Sequence, residues 1–181
     1  DFQRGMQIIR EKAKEWNIEN IGCIGFSAGG HLVSMGGAFH KENYLKARNI
    51  NTKEINLRPD FVCPIYPVIS MQDSIVHEKS RQNLLTKNYT LSDITKFSME
   101  QQIPEDMPPV FLLACKDDDV VNYKNSEVLH RALIQKQIPC EYHLMEHGGH
   151  GFGVIRTHSE ETKNWGALLK KWLIDNQLLK Y

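Results

Sequence analysis

Ile21-Gly22-Cys23-Ile24-Gly25-Phe26-Ser27-Ala28-Gly29-Gly30 is the stretch that decides the fold. An apolar run of strand length passes directly into small residues suited to opening a packed helix, with a serine at the junction. Gly-x-Ser-x-Gly alone is a common pattern. Set between a buried strand and a helix, it acquires a geometric meaning. The chain turns sharply and the serine hydroxyl is lifted clear of the carboxyl edge of the sheet, the layout of a nucleophile elbow. Ser27 is therefore expected in a strained backbone conformation. Gly25 and Gly29 are expected to be glycine because side chains there would collide with the neighbouring strand and helix. Ala28 would offer its backbone N–H from the first helical turn, where the dipole favours negative charge.

Two further strand ends carry chemistry. Val110-Phe111-Leu112-Leu113-Ala114-Cys115 reads as a buried strand that empties into Lys116-Asp117-Asp118-Asp119-Val120-Val121. Tyr142-His143-Leu144-Met145 closes another, followed by Glu146-His147-Gly148-Gly149-His150-Gly151-Phe152-Gly153. Serine, acid and histidine thus follow one another in the chain order of a serine hydrolase of α/β type, each just past the carboxyl end of a strand. Strands are read near Ile21–Phe26, Asp60–Tyr66, Val110–Cys115 and Cys140–Met145, and helices near Gln3–Trp16, Ala28–Phe39, Tyr123–Gln137 and Glu160–Asn176. Their alternation implies an α/β fold with a mostly parallel sheet and helices on both faces. In the last helix Trp165, Leu168, Leu169, Trp172 and Leu173 recur at helical spacing, which predicts a core-facing stripe.

Gly25-Phe26-Ser27-Ala28-Gly29-Gly30-His31-Leu32, Asp117-Asp118-Asp119-Val120-Val121 with Asn125-Ser126 behind it, and Gly148-Gly149-His150-Gly151-Phe152-Gly153 resemble the acetyl-esterase, lipase and feruloyl-esterase branch of the α/β-hydrolases. Tyr66-Pro67-Val68-Ile69-Ser70-Met71, His77, Ser80-Arg81 and Asn83-Leu84-Leu85 extend the resemblance over almost the whole chain. It implies a three-layer α/β-hydrolase fold and a serine esterase acting on short acyl groups, with acetylated or feruloylated carbohydrate as candidate substrates. It also implies Ser27 as nucleophile, His150 as base and Asp117 as acid, because related hydrolases place the acid three residues before a valine, here Val120. Asp118 is the rival acid. Asp118 and Asp119 would lie further round the turn, near a helix start where carboxylates are usually structural. His147 is the rival base, His143 falls inside a strand, and His31 is expected to pack beside the elbow.

These roles define a reaction. His150 takes the Ser27 proton during attack on an ester carbonyl, Asp117 holds the imidazole, and Ala28 N–H meets the oxyanion. No cofactor and no metal are expected, since the clustered His143, His147 and His150 lack a companion carboxylate at ligand spacing. A serine peptidase of prolyl-oligopeptidase type and a non-catalytic binding protein on the same fold are the alternatives. The peptidase usually carries a Trp or Tyr beside the serine, where this chain has Phe26 and Ala28.

The second oxyanion donor normally comes from a Gly-rich loop upstream of the elbow. Upstream of Ser27 this chain offers one helix and one strand, so the resemblance implies that about a third of a normal domain, including the first strands, precedes it. Between Pro67 and Pro109 the sequence turns polar and broken, with short helices near Asn83–Leu85 and Ser92–Gln101. This segment is expected to form a cap or pocket wall on a single domain spanning 1–181, with Met71, His77, Arg81 and Tyr89 as candidate contacts.

Lys plus Arg and Asp plus Glu number 22 each, leaving no basic face for nucleic acid, and no stretch approaches a membrane span. The expected partner is a small-molecule ester, with homo-oligomerisation left open. Cys23, Cys63, Cys115 and Cys140 each fall in or beside a strand and form no C-x-x-C pair, which suits reduced thiols in a cytoplasmic protein.

Overall fold

Four strands, β1 (Gly22–Phe26), β2 (Phe61–Ile65), β3 (Val110–Cys115) and β4 (Cys140–Met145), lie side by side in chain order, every neighbouring pair parallel. The structure is a computed structural model and describes residues 1–52, 55–154 and 159–180. Parallel pairing demands a crossover between consecutive strands, and the apolar runs of the two central strands, β2 and β3, are those of strands covered on both sides. β3 shows this directly. Val110 and Leu112 enter one core with Val62, Leu129 and Leu133, whereas Phe111, Leu113 and Cys115 enter another with Ile65, Trp165 and Trp172. The period-two pleat thereby divides the interior into two cores and the molecule into three layers.

Helices α2 (Ala28–Ala38) and α5 (Lys124–Gln135) close the first core. Helix α6 (Trp165–Asp175) closes the second through the predicted stripe: Trp165, Leu169 and Trp172 are buried, with Leu168 and Leu173 packed alongside. Helix α1 (Phe2–Lys12) packs Met6 against Ile21, Leu45 and Leu57. It ends four residues short of the predicted Trp16. The chain has to reverse to enter β1, and it does so with Ile18 N–H donating to the Ala13 carbonyl (2.8 Å) across Asn17, which adopts a left-handed φ of 54°.

Segment 67–109 carries α3 (Glu78–Leu85), α4 (Leu91–Phe97) and a 3₁₀ turn at Met99–Gln101. Helix α4 begins with a capping box between Thr90 and Asp93. Val68, Met71, Leu85, Ile94 and Val121 form a small core that joins this segment to the loop after β3.

Burial pushes the Cys63 thiol up to about 12 and Cys23 to about 11, so both remain protonated and unreactive at neutral pH. Among the described residues no helix is long and apolar enough to cross a membrane. The pairing Phe26 with Ile65, Ile65 with Leu113 and Cys115 with Met145 aligns the carboxyl ends of all four strands. Loops leaving that edge therefore converge.

Candidate active site

Ser27 stands alone between the last residue of β1 and the first of α2, with φ 55° and ψ −118°. For a residue with a side chain this is a sparsely populated conformation, costing on the order of 1–3 kcal/mol. Main-chain bonds on both sides hold it there: Ser27 N–H donates to the Ile65 carbonyl (3.0 Å), and the Ser27 carbonyl accepts from Gly30 (2.9 Å) and Val68 (3.1 Å). A Cβ at Gly25 would sit 2.1 Å from the Gly29 carbonyl oxygen, as expected for a turn this tight. The expectation for Gly29 does not hold. A Cβ there meets open space, and the close approach falls one residue later, where a Cβ on Gly30 would lie 2.5 Å from Pro67. The helix, entering at an angle, brings its third residue rather than its second against the chain leaving β2. Ala28 opens α2, so its N–H belongs to the first turn, whose donors have no partner within the helix.

His150 reaches this serine from the loop after β4. Its Nε2 lies 2.9 Å from Ser27 Oγ, and its Nδ1 lies 2.7 Å from Asp118 Oδ2. A carboxylate accepts only, so Nδ1 carries the proton and Nε2 is left to accept from the serine hydroxyl. The carboxylate beside the imidazole is thus Asp118, where the sequence had pointed to Asp117. Two aspartates each precede a valine by three residues, Asp117 before Val120 and Asp118 before Val121, and the spacing rule cannot separate them. Burial does. Val121 is 2% exposed and Val120 48%. The register that inserts Val121 beneath α3 and α4 turns Asp118 inward, leaving its side chain 2% exposed against 41% for Asp117. Asp118 Oδ1 accepts from Val120 N–H (2.9 Å) and Val121 N–H (2.8 Å), which aims the other oxygen at His150.

Asp117 faces the glycine loop. Its carboxylate accepts from Gly149 N–H (2.8 Å) and Gly148 N–H (3.0 Å), and these two donors, Gly149 foremost, hold its pKa below the usual carboxylate value. His147 lies exposed with its Nδ1 3.5 Å from Asp117, and it is His150 whose imidazole meets the serine. His143 stays in β4 with Nε2 2.7 Å from Glu141. The three clustered histidines are thereby sent to three places, and among the described residues no group of three metal-ligating side chains forms. His31 is buried beside the elbow. Its Nε2–H donates to the Phe97 carbonyl (2.8 Å), and burial lowers its pKa, with that carbonyl opposing the shift.

A cavity of about 260 Å³ adjoins Ala28, bounded by His31 on α2, by Val68 and Met71 after β2, and by Asn83 and Leu84 on α3. Of the four candidate contacts read from the sequence, only Met71 lines it. Arg81 is a pin instead: its guanidinium donates to the Met71 carbonyl, Asp73 and Glu78 and lies over the Tyr89 ring. His77 precedes α3 and meets Ser80 (2.8 Å). One neighbour of the imidazole had no role assigned from the sequence. Tyr66 packs its ring edge-on to His150 with centroids 4.7 Å apart, and its position directly after β2, on the same edge as Ser27, was the available signal.

A family model described as BD-FAE matches residues 1–133. The chain is 35% identical over 156 residues to the endo-1,4-beta-xylanase B of Butyrivibrio fibrisolvens, covering 85% of this chain and 24% of that protein. It is 29% identical over 180 residues to an acetylxylan esterase of Xylanibacter ruminicola, covering 94% of this chain and 35% of that protein. The chain therefore spans about a quarter to a third of the length of these relatives. Among solved structures it is similar to an acetyl ester-xyloside bifunctional hydrolase from Caldicellulosiruptor lactoaceticus, with a TM-score of 0.88 and 31% identity over 99% of this chain and 65% of that one. The architecture is the α/β-hydrolase fold.

Proposed function

The chain belongs to the BD-FAE family, and from that premise we propose that it is the catalytic part of a serine carboxylesterase that removes short acyl groups from carbohydrate esters. The observation that carries this reading is the unbroken line Asp118–His150–Ser27, with contacts of 2.7 and 2.9 Å on the two ring nitrogens. A serine hydroxyl is a weak nucleophile at neutral pH, and a base already in hydrogen-bond contact removes that difficulty. His150 accepts the Ser27 proton as Oγ attacks the acyl carbon, and Asp118 stabilises the imidazolium that results. Ala28 N–H, at the positive end of α2, faces the developing oxyanion, where one such donor contributes roughly 2.7–4 kcal/mol to the transition state. The proton passes from His150 Nε2 to the departing alcohol oxygen, leaving the acyl group on Ser27. A water, deprotonated by the same nitrogen, then releases the carboxylic acid and restores the serine.

The cavity beside Ala28 suits the acyl or alcohol portion, with an apolar floor of Val68, Met71 and Leu84 and an amide from Asn83 at its side. Segment 67–109 then acts as the pocket wall. Acetylated xylo-oligosaccharide is the substrate class favoured by the names of two relatives, an acetylxylan esterase and an acetyl ester-xyloside hydrolase.

Fluorophosphonate labelling of the intact protein, with Ser27→Ala and His150→Ala as controls, tests the nucleophile. Labelling abolished in Ser27→Ala and strongly reduced in His150→Ala is the expected result, followed by fastest turnover of acetate or butyrate in a p-nitrophenyl ester series. A folded protein that takes no label defeats the assignment.

A further inference from the structure

The loop that delivers His150 has glycines at 148, 149, 151 and 153, and Gly149, Gly151 and Gly153 all have left-handed φ values of 61°, 80° and 52°. A chain of this composition loses more entropy on ordering than any other, so a fixed imidazole requires the loop to be tied from outside. Two side chains from strand ends provide ties at its two extremities. At the near end the Asp117 carboxylate accepts from Gly148 and Gly149 N–H. At the far end Gly153 N–H donates to the Tyr66 hydroxyl (3.2 Å), while the Gly153 carbonyl accepts from Trp165 Nε1–H (2.7 Å).

Tyr66 is itself held under strain. It has φ 37°, a value that residues with side chains rarely adopt, and it follows β2 as Ser27 follows β1. Its N–H donates to the Leu113 carbonyl (2.6 Å), and its ring packs on Phe26, Phe152 and the imidazole of His150 at centroid distances of 5.8, 4.6 and 4.7 Å. Strain of this kind persists only where surrounding contacts over-determine it, and here the contacts with His150, Phe152 and Gly153 tie it to the histidine loop while Leu113 and Phe26 anchor it to the sheet.

Resting on the reading of His150 as the base, we propose that Asp117 and Tyr66 are positioning residues that grip the two ends of this loop and set the imidazole against Ser27. Neither lines the cavity beside Ala28. Asp117 acts through Gly148 and Gly149, and Tyr66 through Gly153 and the ring face. Because a displacement of about 1 Å in a catalytic group can lower turnover a hundredfold, small losses of tether geometry are magnified in kcat.

The test compares Tyr66→Phe, Asp117→Ala and Asp117→Asn in the intact protein, by amide hydrogen exchange and by kinetics on p-nitrophenyl acetate. Tyr66→Phe keeps the ring and loses only the hydroxyl, so Gly153 N–H is expected to exchange about tenfold faster while the melting curve keeps its shape. Asp117→Ala is expected to accelerate Gly149 N–H similarly, and Asp117→Asn, which retains one acceptor oxygen, to fall between Ala and the parent. In each variant kcat drops about tenfold with KM changed less than twofold, the signature of a misplaced base. Unchanged exchange at Gly149 and Gly153 overturns the proposal, as does a kcat loss that merely follows a lower melting temperature. If the parent protein hydrolyses no ester, the proposed function fails, and the exchange rates still decide whether these two residues hold the loop.

Discussion

Two regions meet over Ser27 and are built by opposite means. The strand ends are held by main chain: Ser27 and Tyr66 donate their N–H groups to the Ile65 and Leu113 carbonyls of the adjacent strands. Segment 67–109 is held by side chains that substitute for a sheet. Asn125 Oδ1 accepts from Ile69 and Ser70 N–H (2.9 Å each) while its amide donates to the carbonyls of Ile75 and Asn122. Ser98 Oγ accepts from Met71 N–H (2.9 Å), and Arg81 donates to the Met71 carbonyl (3.0 Å). His31 bridges the regions, reaching from α2 to the Phe97 carbonyl. The difference teaches where chemistry and where selectivity can vary. A main-chain frame tolerates little change in position, whereas a segment hung on a few side chains can be re-shaped one residue at a time.

The sharpest way to test the frame is Asp118→Asn. An amide turned toward Nδ1 stabilises the wrong tautomer of His150, and kcat/KM on a p-nitrophenyl ester is expected to fall about ten-thousand-fold with little change in melting temperature. Asp117→Asn should fall far less, so a larger loss at 117 than at 118 would invert the assignment of the acid. On the other side of the comparison, Asn125→Ala strands two buried N–H groups and is expected to lower stability by roughly 3 kcal/mol, read from a urea melt. A loss below 1 kcal/mol would show that the segment is held by packing rather than by this side chain.

Selectivity offers a gentler probe. Leu84→Trp narrows the cavity beside Ala28, and the ratio of butyrate to acetate turnover is expected to fall about tenfold while acetate turnover is nearly retained. Equal effects on both esters would place the acyl group elsewhere. The smallest effect is a pH dependence at the bridge. Burial lowers the pKa of His31 in the folded chain, so its contribution to stability is complete above the unfolded value of about 6.5 and is lost as pH falls through the folded value. His31→Gln, which keeps a donor for Phe97, should flatten the stability curve on that acid side. A curve that stays parallel to the parent would mean that another group titrates there.

The strands, the elbow and the histidine loop were legible because each depends on a local pattern. Apolar runs of strand length end at Phe26, Ile65, Cys115 and Met145, and parallel sheets gather such ends on one edge. The Trp165–Trp172 stripe was legible for the same reason, since helical periodicity is a property of neighbours in sequence. Asp118 was not. Tandem aspartates before tandem valines present the same spacing twice, and only the burial of Val121 against Leu85 and Ile94 chooses between them. The role of Asn125 is similarly hidden, because its partners Ile69 and Ser70 lie more than fifty residues away in the chain.

What the sequence determined by itself is the set of candidate groups and the edge on which they assemble: Ser27 at a strand-to-helix turn, an aspartate after β3 and His150 among glycines after β4. Local sterics and periodicity suffice for that, since each feature is settled within about one turn of chain. Tertiary structure decided which aspartate faces the imidazole, which glycine the crossing helix needs, and which side chains bond to the loop that carries His150. Those outcomes depend on groups far apart in sequence competing for the same buried space, and the competition is resolved only when the layers pack.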